Sequence, residues 1–119
     1  MRRALLLVAV LAPVSGCSEA PRVDPTQTQA IFEDARSLLE TYGSRASIEP
    51  ASWPQSLRML EPESVRSNEE GLYVVTWSRS VEERGVFVPR DVASFSPQQG
   101  SDPEYSLVAN AVFVYRIRG

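Results

Sequence analysis

Histidine and lysine are absent from this 119-residue chain, and cysteine occurs once. Those absences exclude Ser-His-Asp and Cys-His nucleophile systems, Schiff-base chemistry, His/Cys zinc sites and any disulfide within the chain. All 12 basic residues are arginines, set against 15 acids for a net charge of -3. No basic cluster breaks that balance, so the concentrated positive face that nucleic acid demands is missing, and no nucleic-acid partner is expected. Long apolar runs are lacking too. The run Ala4 to Leu11 is too short to span a bilayer, which takes about 20 residues. The length suits one small domain, without repeats or low-complexity tracts.

What is present at the N-terminus is ordered. Met1-Arg2-Arg3 is cationic, Ala4 to Leu11 is apolar, and Val14-Ser15-Gly16-Cys17 follows. Charged, apolar and small-residue regions in that order read as a secretory signal peptide. The last four residues resemble the lipobox of bacterial lipoproteins, a resemblance covering residues 1 to 17. It implies that residues 1–16 are removed between Gly16 and Cys17, and that Cys17 is joined by a thioether to diacylglycerol. Residues 17–23 are then the lipidated cysteine and a short tether, and the membrane is the first partner. Ser18, where an aspartate would favour inner-membrane retention, implies the outer membrane facing the periplasm if the cell is Gram-negative. The bland alternatives are an ordinary cleaved signal with a free Cys17, or a buried apolar strand.

Removing residues 1–16 takes Arg2 and Arg3 and no acid, so ten arginines face 15 acids, a net of -5. Residues 24–119 are expected to form a single α+β domain. Asp24 as N-cap, Pro25 at the first helical position and Gln27 in capping-box position open a helix that runs to about Tyr42. Ile31, Ala35, Leu38, Leu39 and Tyr42 form its apolar stripe, and Gly43 stops it. Trp53 to Leu60 predicts a short second helix ended by Pro62. Leu72 to Trp77 and Val86 to Val88 read as a hairpin whose turn chemistry lies at Glu82-Glu83-Arg84-Gly85. Asp91 to Glu104 reads as an exposed loop, and Ala111 to Ile117 as a last strand, led in by Tyr105 to Val108. The expected architecture is therefore an N-terminal helix plus a short second helix packed on a small, mainly antiparallel sheet of three to four strands.

Strict alternation would put Tyr73, Val75 and Trp77 on one face of the first strand, and Phe113, Tyr115 and Ile117 on one face of the last. One long helix covers one face only. The other face is either a docking site or is covered by Trp53 and the long loop. Val112 to Ile117 would invite self-association if it lay at an unprotected edge. Glu82 and Glu83 are adjacent, so in a strand they diverge and do not flank a glycosidic bond. The stretch Gly100-Ser101-Asp102-Pro103-Glu104 lacks the alternating acids of a calcium loop and reads as a turn. No catalytic residue, metal ligand or cofactor is expected. The candidate partner-binding residues are Tyr73, Trp77, Arg79, Glu82, Glu83, Arg84 and Arg90, because arginine grips carboxylates with paired hydrogen bonds. Ordinary surface pairing is the competing account of those charges.

An N-terminal helix, the segment Trp53-Pro54-x-x-Leu57-x-x-Leu60 and a following antiparallel sheet are together similar to the globular domains of type II secretion pseudopilins. The resemblance covers roughly Pro25 to Val88 as an order of elements. A lipobox stands where those proteins carry a hydrophobic assembly helix, so filament building is not implied. The expectation is a small membrane-anchored envelope lipoprotein acting as a non-catalytic binding or accessory module with an envelope protein as partner. The alternatives are a periplasmic inhibitor or immunity protein against a toxic enzyme, and a carboxylate-based hydrolase.

Overall fold

The computed structural model describes residues 22–119; Cys17 and the rest of the expected signal peptide and lipobox lie outside them. Asp24 caps a 3-10 turn, Pro25–Gln27, by accepting from the Thr26 amide at 2.9 Å, while Gln27 reaches back to the Asp24 amide. That turn leads into α1, Thr28–Tyr42. Ile31, Ala35, Leu38 and Leu39 are buried along one stripe, and Glu33, Arg36, Ser37 and Glu40 are exposed. Gly43, at φ 75°, ends the helix in a conformation that a side chain would strain.

A 3-10 turn at Pro50–Ser52 precedes α2, Gln55–Arg58, the expected short helix. Ser56 Oγ donates to Asp34 Oδ2 at 2.7 Å and ties α2 to α1. Both helices lie on the same side of the sheet.

The sheet has six strands, not three to four. They are β1 Ala46–Ile48, β2 Ser64–Ser67, β3 Gly71–Arg79, β4 Glu82–Pro89, β5 Glu104–Ala109 and β6 Val112–Ile117, in the order β1-β2-β3-β4-β6-β5, with every ladder antiparallel. β1 and β2 escape sequence reading because they are three and four residues long and carry single buried apolar groups, Ile48 and Val65. The β3–β4 turn is also tighter than expected. Arg79 pairs with Glu82 across a two-residue turn, Ser80–Val81, so Glu82 to Gly85 belong to β4. The β5–β6 turn, Asn110–Ala111, holds both residues at positive φ, 51° and 61°. β6 is interior; the free edges are β1 and β5.

The two faces are filled differently. Under the helices Ile48, Val65, Leu72, Val74, Val86, Val88 and Val112 pack against the α1 stripe and Leu57. On the other face Tyr73, Phe87 and Tyr115 are buried beneath Phe95, Tyr105, Phe113 and Ile117. Phe95 comes from the long loop, so that loop does cover the aromatic face. Trp53 does not: it packs with the aliphatic core and donates its indole N–H to the Ile48 carbonyl at 2.8 Å.

Candidate functional site

A β-bulge decides which residues meet at the hairpin end. Val75 pairs with Gly85, but the next pair is Trp77 with Arg84, leaving Thr76 as an extra residue. Cross-strand partners share a face, so Trp77 and Arg79 are moved to the helix side, away from Tyr73 and Val75. Strict alternation, by contrast, would put Trp77 with Tyr73. The Thr76 hydroxyl donates to the Arg84 carbonyl at 3.3 Å, occupying an acceptor beside the bulge.

Trp77 thereby lies among guanidinium groups. Arg84 stands 5.0 Å and Arg79 5.7 Å from the centre of its ring. Arg79 is exposed, whereas Arg84 is only 4% exposed. Among the described residues, Arg84 Nε and Nη1 have no hydrogen-bond partner. The indole face attracts the cation but cannot accept from the in-plane N–H groups. Leaving buried donors unfilled is costly, so this arginine stands out from the surface charges around it.

The aromatic face shows the opposite economy. Tyr105 and Tyr73 share a hydrogen bond of 2.7 Å, and the Tyr73 hydroxyl donates to Glu70 Oε1 at 2.8 Å. Tyr115 donates to Glu83 Oε2 at 2.6 Å, and the same oxygen pairs with Arg66 at 2.8 Å. The Arg66 guanidinium lies 4.7 Å over the Tyr73 ring. Burial, followed by the bonds to Tyr105 and Glu70, pushes the Tyr73 phenol well above its ordinary value; burial, then Glu83, does the same for Tyr115. Burial also raises Tyr105, with its bond to Tyr73 opposing. Burial works to lower Arg66, but the hydrogen bond and charge of Glu83 outweigh it and leave Arg66 raised. All four groups are thus fixed in their neutral-pH forms, and the network braces the sheet.

The sequence-predicted residues therefore divide. Trp77, Arg79, Glu82 and Arg84 share the helix side at the hairpin end, while Tyr73 and Glu83 are engaged in the tyrosine network of the other face. Glu82 and Glu83 diverge, as adjacent strand residues must. Arg90 is a clamp at the far end, donating from Nη2 to the carbonyls of Gly43 at 2.9 Å and Asn68 at 2.8 Å. Sequence reasoning missed Arg66, Glu70 and Arg116. Arg116 faces Arg84 across the β4–β6 ladder, a pairing that becomes visible only once the register is known.

Among the described residues no three or more Asp, Glu, His or Cys converge to hold a metal, and no helix is long and apolar enough to cross a membrane. A groove of about 360 Å³ between α1 and α2 is lined by Ala30, Asp34, Ser56 and Met59 among others, but its carboxylate is already taken by Ser56. No family model matches the chain, and neither a search of curated proteins nor one of solved structures gives a match.

Proposed function

We propose that this chain is a small lipid-anchored protein of the bacterial cell envelope whose folded domain is a non-catalytic binding or accessory module. Cys17 carries the lipid, residues 17–23 tether the domain, and the hairpin end with Trp77, Arg79 and Arg84 engages an envelope protein. The signal-peptide order and the lipobox support the anchor. One observation carries the binding reading: a nearly buried Arg84, stacked on Trp77, whose Nε and Nη1 find no acceptor among the described residues. A domain tolerates such a group when something outside it completes the hydrogen bonding.

Mass spectrometry of the membrane fraction, with Cys17→Ala alongside, tests the anchor; an unmodified Cys17 in a soluble, shortened chain contradicts it. Affinity capture from envelope extract with the full chain as bait tests the module. A stoichiometric partner that is lost with Arg84→Gln supports it. The acidity of the remaining surface favours a second reading, capture and inhibition of a basic toxic enzyme. That reading expects binding that weakens with salt and is indifferent to Arg84→Gln.

A further inference from the structure

The ladder registers set four residues in one row on the helix side of the sheet: Trp77 on β3, Arg84 on β4, Arg116 on β6 and Glu104 on β5. The acid in that row is already occupied, since Glu104 Oε1 pairs with Arg118 at 2.9 Å. Arg84 and Arg116 are left directly opposite each other, with β-carbons about 5 Å apart in such a pair. Like charges so placed repel, and neither is ion-paired among the described residues. Arg116 is exposed; Arg84 is buried with two nitrogens unfilled. A ring above, two buried unfilled donors and a second, exposed guanidinium opposite are the elements of an oxyanion site.

We infer that Arg84 and Arg116, backed by Trp77, form a binding site for a carboxylate supplied by a protein partner, an inference that rests on the binding-module reading above. The chemistry favours a carboxylate because its planar pair of oxygens matches the guanidinium fork. A protein side chain is favoured over a lipid headgroup by access and charge. Arg84 is 4% exposed, with Nε and Nη1 closed from solvent, so the ligand must be a slender group and the Arg84 side chain must shift outward to meet it. A flat anionic bilayer would also have to approach a domain of net negative charge.

The test is NMR titration of the full chain in detergent, following the Arg84 Nε–H resonance. The probes are an end-blocked peptide with one glutamate, the same peptide with glutamine, inorganic phosphate, and phosphatidylglycerol vesicles. The glutamate peptide is expected to shift that resonance saturably and to bind about tenfold or more tighter than the glutamine peptide. Arg84→Gln and Arg116→Gln are each expected to weaken it by a similar factor; Arg116 is exposed, so its variant keeps the fold. Equal binding of the two peptides, binding unchanged in Arg116→Gln, or a response confined to phosphate or vesicles would overturn the inference. If the glutamate peptide fails while the captured envelope partner still depends on Arg84, this inference falls and the module stands. If neither depends on Arg84, both fall.

Discussion

The two faces of the sheet solve the same burial problem with different materials. The helix side is aliphatic, valine, leucine and isoleucine under α1 and α2, and is closed by whole helices. The opposite face is aromatic and mostly covers itself, with Phe95 as the loop's contribution, and its phenols are hydrogen-bonded to one another and to Glu70 and Glu83. Ring centres 4.6 to 6.4 Å apart, in tilted and edge-to-face pairs, explain how so few residues close it. Polar groups on that face are thus bonded within the molecule. Among the described residues the buried side-chain atoms without a partner are Ser67 Oγ, Arg90 Nε, and Arg84 Nε and Nη1; Arg84 alone has two, and it lies on the helix side, at the end beyond the main aliphatic core. An aromatic surface is therefore not by itself a sign of docking, and the proposal of a binding module rests on Arg84 instead.

Truncation separates a second core from a mere lining. Leu57 and Phe87 are both fully buried, one on each side. Leu57→Ala and Phe87→Ala are each expected to cost about 3–5 kcal/mol in chemical denaturation. A loss below about 1 kcal/mol for Phe87→Ala would reduce the aromatic face to decoration.

The next largest effect probes how closely the aromatic face is packed on its backbone. A Cβ on Gly85 would meet the Val74 carbonyl oxygen and the Tyr115 ring. Gly85→Ala should cost about 2–3 kcal/mol by overpacking, chiefly against the Val74 carbonyl, and a neutral result would mean that the two backbones do not approach so closely there.

Alkaline titration distinguishes the faces chemically. Tyrosine in the unfolded chain ionises near its ordinary 10.0, whereas folded Tyr73 and Tyr115 stay protonated well beyond it. Above about pH 10 the unfolded state has shed protons that the folded state keeps, so their stabilisation is complete below that pH and is lost as the pH rises. Denaturation midpoints measured from about pH 8 upward should fall past pH 10, and Tyr73→Phe with Tyr115→Phe should flatten the decline.

The smallest effect is at a turn. Ala111, at φ 61°, occupies a conformation that costs an L-residue and suits glycine. Ala111→Gly should raise stability by about 0.5–1 kcal/mol, against no gain if that hairpin is strained elsewhere.

The legible parts of the fold were those written in local chemistry. The Asp24–Gln27 capping box, the Ile31–Leu39 stripe and the Gly43 stop specify α1 without help from the rest of the chain. The apolar runs around Val74, Phe87 and Val114 announce strands for the same reason. The short strands β1 and β2 exist because neighbours pair with them, so they leave no period of their own. Asn110–Ala111 forms a turn without the glycine that would advertise one. For the site, Trp77, Arg79, Glu82 and Arg84 are legible as candidates from their place around the predicted hairpin, but their shared face is not. Thr76 carries no sign of a bulge, and that one extra residue reverses where Trp77 points. The Arg84–Arg116 juxtaposition, likewise, depends on a register between strands more than 30 positions apart.

Glu83 and Arg84 are adjacent and face opposite sides, which makes them the most direct test of the central claim that Arg84 is held for a partner rather than for the fold. Thermal denaturation of the unliganded protein should show Glu83→Gln less stable, because Tyr115 and Arg66 lose their shared acceptor. Arg84→Met should be more stable, by about 1 kcal/mol or more, because a buried charge with two unfilled nitrogens is replaced by an apolar chain of similar length. A stability loss in Arg84→Met comparable to that in Glu83→Gln would contradict the account and make Arg84 a structural residue.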